Sequence, residues 1–186
     1  IAGGRLIYYK GFEHAIRAMR HVDGRLLIVG DGPLRAELER VAREAGVTDR
    51  VHLLGEIHNQ QIVPYYFASD VFVLPSIARS EAFGIVQLEA MACGLPVVNT
   101  ALDSGVPSVS LHGKTGFTVQ PAQPEALAAA IQDLLNAPER CRDFGRAARL
   151  RVETEFRKEV MADRISALYT DVLARRGARE GTPTRG

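Results

Sequence analysis

The chain has 186 residues, 46% of them hydrophobic and 24% charged, with 17 glycines and no tryptophan. This is the length of one domain, and the composition excludes a disordered or collagen-like protein. The 23 basic and 22 acidic side chains give a net charge of only +1, too little to hold nucleic acid or an anionic membrane through a protein-wide field. Any anion site must therefore be local.

The two cysteines and the first residue of the chain indicate the cellular compartment and whether the sequence is a fragment. Cys93 falls in an apolar helical run and Cys141 in a charged one, so we expect free thiols and a reducing, cytoplasmic compartment. No apolar run is long enough for a membrane-spanning helix. Because the chain begins at Ile1 without an initiator Met, we expect a fragment or an excised domain.

Short apolar runs alternate with longer amphipathic ones along the chain, which is typical of a parallel sheet with helices on both faces. Strands are predicted at residues 5–9, 25–29, 51–54, 71–74, 96–99 and 116–119. Helices are predicted at 12–21, 33–45, 60–68, 83–92 and 124–135, followed by a helical stretch at 138–175 that breaks near Phe156. The sequence thus predicts an α/β, Rossmann-like domain at 1–175 with a helical C-terminal extension and a disordered tail at 176–186.

Ligands of such sheets bind outside the carboxyl ends of the strands, where loops lead into helices. Four predicted loops meet there, at residues 3–11, 30–33, 55–58 and 75–84. The loop at 30–33 lacks the residues of a nucleotide-binding P-loop, so we interpret it as a turn.

The last of these loops leads into a helix that carries two carboxylates, Glu81 before it and Glu89 within it. Glu89 shares its helical face with Ile85 and Cys93, so we expect it to be at least half buried. A buried carboxylate needs hydrogen-bond donors, and a polyhydroxyl ligand is one candidate.

The start of the same helix is also a candidate anion-binding site. The backbone N–H groups of Phe83, Gly84 and Ile85 stand at the positive end of a helix dipole, and Arg5 and Lys10 flank a nearby predicted strand. An extended ligand would then place a sugar at Glu81, phosphates over residues 83–86 and a ribose at Glu89. The alternatives are that Gly84 only eases a turn and that the two basic residues are solvated.

Several further motifs stand in unbroken order between residues 3 and 136. They are Gly4-Arg5-Leu6 with Lys10-Gly11, Val29-Gly30-Asp31-Gly32-Pro33, Leu54-Gly55, Asp70-Val71-Phe72-Val73-Leu74-Pro75-Ser76, the two glutamates, and Gly94-Leu95-Pro96-Val97-Val98. Together they resemble glycosyltransferase family 4, also called group 1 glycosyl transferases.

The resemblance implies a retaining hexosyltransferase of the two-domain GT-B architecture, of which this chain is similar to the C-terminal, donor-binding half. It implies that Arg5 and Lys10 contact the diphosphate of the donor, Glu81 the sugar hydroxyls and Glu89 the ribose. It further implies that backbone groups of 82–86 contact the sugar and phosphates, and that Ile57 meets the nucleobase. The expected catalytic residues are Glu81, Arg5 and Lys10; the expected donor-binding residues are Gly4, Arg5, Lys10, Ile57, His58, Glu81, Ala82, Phe83, Gly84, Ile85, Val86 and Glu89.

The expected substrate is a UDP- or GDP-sugar, with no cofactor. The basic residues and the helix terminus would stabilise the leaving diphosphate without a metal, and the five histidines and the absence of an Asp-x-Asp pair give no metal-site spacing. His58 is an open candidate for contact with the base. Ser104, Asn99, Thr100 and Arg79 are left unassigned.

The expected partners are the nucleotide-sugar and a sugar or lipid-linked acceptor, and no nucleic acid. The family's N-terminal domain, which binds the acceptor and supplies a glycine-rich loop and a histidine, is absent from these residues, so we expect the chain alone to be inactive or nearly so. Likeness of residues 78–87 to enzymes of bacterial surface polysaccharide synthesis favours peripheral association with the inner membrane. Two alternatives remain open: a non-catalytic interaction module on the same fold, and a GT-B-type nucleotide-sugar epimerase.

Overall fold

The computed structural model describes residues 1–180, without the side chains of residues 59, 174 and 176–180. The chain divides into two compact units, residues 1–150 and 151–186. The first unit carries the α/β fold, and the described part of the second is helical. Residues 151–175, predicted as part of the domain, therefore fall in the second unit.

Six strands and eight α-helices alternate in the described chain. The strands are β1 (Ala2–Gly3), β2 (Leu26–Val29), β3 (Val51–Gly55), β4 (Phe72–Leu74), β5 (Val97–Thr100) and β6 (Gly116–Val119). The helices are α1 (Phe12–Ala18), α2 (Arg35–Ala45), α3 (Val63–Phe67), α4 (Ile85–Ala92), α5 (Val106–Val109), α6 (Pro124–Asn136), α7 (Pro138–Glu155) and α8 (Lys158–Glu180).

All neighbouring strands are parallel, in two ladders ordered β1-β2-β3 and β4-β5-β6. Ile1 joins the ladders, because its nitrogen donates to the Val71 carbonyl and its carbonyl accepts from the Val73 N–H, both at 2.8 Å. The order across the molecule is therefore 3-2-1-4-5-6. The strand order, which runs outward from β1 to β3 on one side and from β4 to β6 on the other, reverses between β1 and β4, and this switch point is where a doubly wound sheet forms its ligand crevice.

Side chains of β4 alternate between the two faces of the sheet, as the pleat requires. Val73 belongs to the main buried cluster, with Phe12 and Ile16 of α1 and Ile131 of α6. Phe72 points the other way, and its ring meets the edge of the Tyr66 ring of α3 at 6.0 Å. Helices therefore cover both faces, and α3 and α4 lie on the face opposite to α1 and α6.

Some predicted boundaries are wrong. No strand covers residues 5–9; β1 is shorter and earlier, because Leu6 leaves the ladder to bond the carbonyl of Asp31 and the N–H of Leu34. Residues 8–10 instead form a 3-10 turn. The helix predicted from residue 83 begins at Ile85, and α5 was not predicted.

The C-terminal helices agree with the sequence in part. The predicted break near Phe156 separates α7 from α8. The tail predicted to be disordered from residue 176 is helical as far as Glu180, in line with the strong helix propensity of Ala, Arg and Glu; residues 181–186 lie outside the described residues. Among residues 1–180 no helix combines the length and the apolar character needed to cross a bilayer.

Candidate functional site

A cavity of about 850 Å³ lies at the switch point of the sheet. Its walls come from the loops after β1, β2 and β3 and from the facing sides of α3 and α4. The lining residues are Gly3, Gly4, Arg5, Val29, Gly30, Asp31, Glu56, Ile57, Gln60, Ile62, Val63, Tyr66, Val86, Glu89, Ala92 and Cys93. Three of the four loops predicted at the strand ends, residues 3–11, 30–33 and 55–58, therefore meet at this cavity, whereas none of residues 75–84 lines it.

Bare backbone forms the floor of this cavity. A Cβ atom on Gly30, where φ is +131°, would lie 2.1 Å from the Gly4 carbonyl oxygen. The N–H of Gly30 also donates to the Gly55 carbonyl at 2.7 Å. The backbone at the ends of β1 and β2 is thus packed more closely than a side chain at Gly30 would permit. No side chain of these glycines projects into the cavity.

Lys10 and Glu81 form an ion pair beside the cavity. The Lys10 Nζ lies 2.6 Å from Glu81 Oε2, which also accepts the Ser76 hydroxyl hydrogen bond at 2.9 Å. Both charged side chains are about nine-tenths buried, and the Lys10 side chain also lies against Gly4, where a Cβ atom would stand 3.2 Å from Lys10 Nζ. Because an ammonium group has three N–H donors, Lys10 can hold Glu81 and still donate to an anion.

Two loops are fixed together to make this pair. The Ile77 N–H donates to the Tyr9 carbonyl at 2.8 Å, and Gly11 lies so close to Pro75 that a Cβ atom would stand 2.1 Å from its carbonyl oxygen. Thr100 adds a hydrogen bond of 2.5 Å from its hydroxyl to the Ser76 carbonyl. The strand-end loop before α4 is therefore held against the turn that carries Lys10.

The N-terminus of α4 faces the same region. Gly84 is its N-cap, with φ of +70°, and no side chain caps the helix within the described residues. A Cβ at Gly84 would lie 2.6 Å from Leu74 Cδ2, so glycine is required both by conformation and by space. Free N–H groups at a helix start are suited to a phosphate.

A buried amide pair holds this helix start in place. Gln87, fully buried, donates through Nε2 to the Phe83 carbonyl at 2.7 Å and to the Val106 carbonyl at 3.3 Å. Asn99, also fully buried, donates to Gln87 Oε1 at 3.2 Å and accepts from the Thr118 hydroxyl at 2.8 Å. The network fixes the direction of the turn at residues 83–84.

Replacing Gln87 with Met is expected to lower the free energy of unfolding by about 2 kcal/mol, because Asn99 and two carbonyls lose a buried partner while the volume changes little. Urea unfolding of the 186-residue chain measures this loss. The matched control is Gln120→Met, at an exposed glutamine that follows β6, which should change the free energy of unfolding by less than about 0.5 kcal/mol. Equal effects of the two changes would contradict a structural role for the network.

Glu89 is exposed, which corrects the prediction that it is at least half buried. The helix buries its other face through Gln87, Ala90 and Met91, so the Glu89 side faces the open cavity instead of the core. Its Oε2 accepts a hydrogen bond from the Tyr66 hydroxyl at 3.1 Å. Burial, and next the charge of Glu89, raise the pKa of Tyr66, so this hydroxyl remains a donor at neutral pH.

The predicted site residues separate into groups. Gly4, Arg5, Ile57, Val86 and Glu89 line the cavity, and Lys10 and Glu81 pair beside it. At the start of α4, Ala82, Phe83 and Ile85 are exposed and Gly84 is buried.

Other candidates have different surroundings. The side chain of His58 is 77% exposed and lies 3.8 Å from Glu56. Asn99 and Thr100 are buried, and both side chains are hydrogen-bonded within the protein. The Ser104 hydroxyl accepts from the Val106 N–H. Arg79 is exposed.

Sequence reasoning missed Tyr66, Ser76 and Gln87 as contributors to the site. Ser76 ends the motif at residues 70–76, but no pattern in the sequence indicated that its hydroxyl would donate to Glu81. Among the side chains that the structure describes, no group of three or more His, Cys, Asp and Glu residues could hold a metal ion.

Comparison with known proteins places the chain in a family. A family model for glycosyl transferases group 1 matches residues 1–151. The D-rhamnosyltransferase WbpZ of Pseudomonas aeruginosa is 37% identical over 153 residues, which cover 82% of this chain and 40% of that protein. The chain thus spans less than half the length of this relative.

Solved structures agree with the fold. Sucrose-phosphate synthase from Thermosynechococcus elongatus superposes with a TM-score of 0.81 at 37% identity, over 93% of this chain and 45% of that one. Anabaena HepE in complex with UDP gives a TM-score of 0.83 at 26% identity, over 91% and 48%. The chain has the Rossmann-like α/β fold of one half of a GT-B enzyme, and it belongs to the group 1 glycosyltransferases.

Proposed function

We propose that this chain binds the nucleotide-diphosphate-sugar donor of a retaining, metal-independent glycosyltransferase. The observation that carries the proposal is the row of groups along the switch point. Glu89 and Arg5 line one cavity, a Cβ atom on Gly4 in its wall would stand 3.2 Å from Lys10 Nζ, and Lys10 pairs with Glu81. Two basic groups with a carboxylate at each end match a diphosphate that has a ribose on one side and a sugar on the other.

Each part of the donor has a partner in this row. The carboxylate of Glu89 accepts hydrogen bonds from ribose hydroxyls, and the base lies toward Ile57 at the other end of the cavity. The diphosphate meets Arg5, Lys10 and the N–H groups at the start of α4. Glu81, held by Ser76 and Lys10, accepts hydrogen bonds from the sugar hydroxyls.

Transfer requires the bond between the sugar and the diphosphate to break. Negative charge then grows on the leaving diphosphate, and the guanidinium of Arg5, the ammonium of Lys10 and the helix dipole stabilise it more strongly than they stabilise the ground state. The acceptor hydroxyl attacks on the side from which the diphosphate leaves and passes its proton to that diphosphate, so the anomeric configuration is retained. The acceptor itself binds outside these residues, in keeping with the chain's 40% share of the length of WbpZ.

The Glu89→Gln variant is expected to bind UDP or GDP about 10- to 100-fold more weakly than the wild type, since hydrogen bonds to a charged group are worth about 1.5–3 kcal/mol. Titration calorimetry of the 186-residue chain gives both dissociation constants. Glu125→Gln, which changes an exposed carboxylate in α6, is the control and should bind as the wild type does. A wild type that binds neither nucleotide would contradict the proposed function.

A further inference from the structure

Tyr66 is the largest of the fully buried side chains that line the cavity, at 1% exposure. Its ring stands edge-on to Phe72 of β4, with an angle of 69° between the ring planes. This contact and its burial fix the ring, so the position of its hydroxyl is fixed as well. A buried tyrosine hydroxyl needs a hydrogen-bond partner, and this one has a partner in the candidate site.

The partner is Glu89, 23 residues further along the chain on α4. The Tyr66 hydroxyl donates to Oε2 at 3.1 Å, which leaves Oε1 and the remaining lone pair of Oε2 for a ligand. Glu89 is otherwise exposed, and a glutamate side chain on a helix surface has several rotamers of similar energy. The hydrogen bond from a fixed donor selects the rotamer that reaches toward α3 across the cavity wall.

We propose that Tyr66 is a positioning residue for nucleoside recognition: it holds the Glu89 carboxylate ready to accept the two hydroxyls of a ribose. The inference rests on the proposed function, because it takes Glu89 as the ribose acceptor. It adds that the carboxylate is ordered before the ligand arrives, so that binding does not have to order it. The ring of Tyr66 packs in the fold, and its hydroxyl orients the carboxylate that accepts the ligand's hydrogen bonds.

The Tyr66→Phe variant separates these two roles, since it keeps the ring and removes only the hydroxyl. We expect UDP and GDP to bind about 3- to 10-fold more weakly, as loss of one hydrogen bond implies. Binding of inorganic pyrophosphate should not change, because it has no ribose. Tyr65→Phe is the matched control on the same helix, where the ring is 37% exposed, and it should bind both ligands as the wild type does.

A double variant tests whether the effect acts through Glu89. Once Glu89→Ala is present, Tyr66→Phe should weaken nucleotide binding by less than 2-fold, because the acceptor of the Tyr66 hydroxyl is already gone. Additive losses would show that Tyr66 acts by another route, and would overturn the inference.

The remaining outcomes are also decisive. If Glu89→Gln weakens nucleotide binding and Tyr66→Phe does not, the inference fails and the proposed function stands. A Tyr66→Phe variant that loses pyrophosphate binding as well overturns the inference, because the loss is then not confined to the ribose. If the wild type binds pyrophosphate but no nucleotide, or if Glu89→Gln has no effect, the proposed function fails and the inference falls with it.

Discussion

Replacing Lys10 with Met is expected to lower the free energy of unfolding by about 3 kcal/mol, the lower end of the range for breaking a buried ion pair. The reason is that Glu81 is 7% exposed and, among the described residues, would keep the Ser76 hydroxyl alone as a side-chain partner for its charge. On the proposed function, the same change also removes a cation from beside the leaving diphosphate in an enzyme that contains this domain. There we expect a 100- to 1,000-fold fall in kcat/KM, roughly the effect of losing one oxyanion donor.

Urea unfolding of the 186-residue chain measures the first effect. The double variant Lys10→Met with Glu81→Gln should recover most of the stability, since no unpaired charge remains buried, but it should not recover donor turnover. Lys114→Met, at an exposed lysine, is the control for loss of a positive charge. If Lys10→Met were as stable as this control, the ion pair would not be part of the folded site in solution.

The second large effect is expected at Gly30. A Cβ atom there would lie 2.1 Å from the Gly4 carbonyl oxygen, and φ of +131° is a backbone conformation that side chains disfavour. Because two pieces of backbone would have to separate, Gly30→Ala is expected to lower the free energy of unfolding by more than about 3 kcal/mol. The loop that carries Arg5 would move with Gly4, so nucleotide affinity should fall as well.

Gly46→Ala is the matched control for this prediction. Gly46 also has a positive φ, +68°, but nothing lies within 4 Å of the place where its Cβ would be. Only the backbone strain remains, which costs about 1–2 kcal/mol. Unfolding midpoints that fall equally for both variants would mean that the close approach at Gly30 does not hold the loops together.

The alternation of strands and helices was predictable from the sequence because it depends on local patterns. Short, wholly apolar runs such as residues 26–29 and 71–74 favour a buried strand, and β6 has the predicted bounds. The group 1 glycosyltransferase resemblance, carried by several motifs at fixed separations, is confirmed by the family match over residues 1–151.

The predictions that were wrong concern features that depend on tertiary contacts. Residues 5–9 have the composition of a strand, yet Leu6 bonds to the loop after β2, and no local pattern encodes that choice. The periodicity of α4 correctly put Glu89 on one face with Ile85, but it could not tell whether this face met the core or an open cavity. The fully buried Gln87 shows that the core face was the other one.

The site could be predicted only as a set of residue types. The sequence predicted Lys10 and Glu81 as separate ligand contacts, whereas the structure pairs them with each other. It gave no means of choosing Tyr66 among the three consecutive aromatic residues of α3. Such choices depend on which side of a short helix faces β4, and this is decided by packing against Phe72.

The most direct test of the account is a crystal structure of the chain with UDP or GDP. We expect the diphosphate against Arg5, Lys10 and the N–H groups that begin α4, with both ribose hydroxyls on the Glu89 carboxylate and the Tyr66 hydroxyl still donating to it. A nucleotide bound away from the switch point between β1 and β4, or one in this cavity with its ribose turned away from Glu89, would contradict the account.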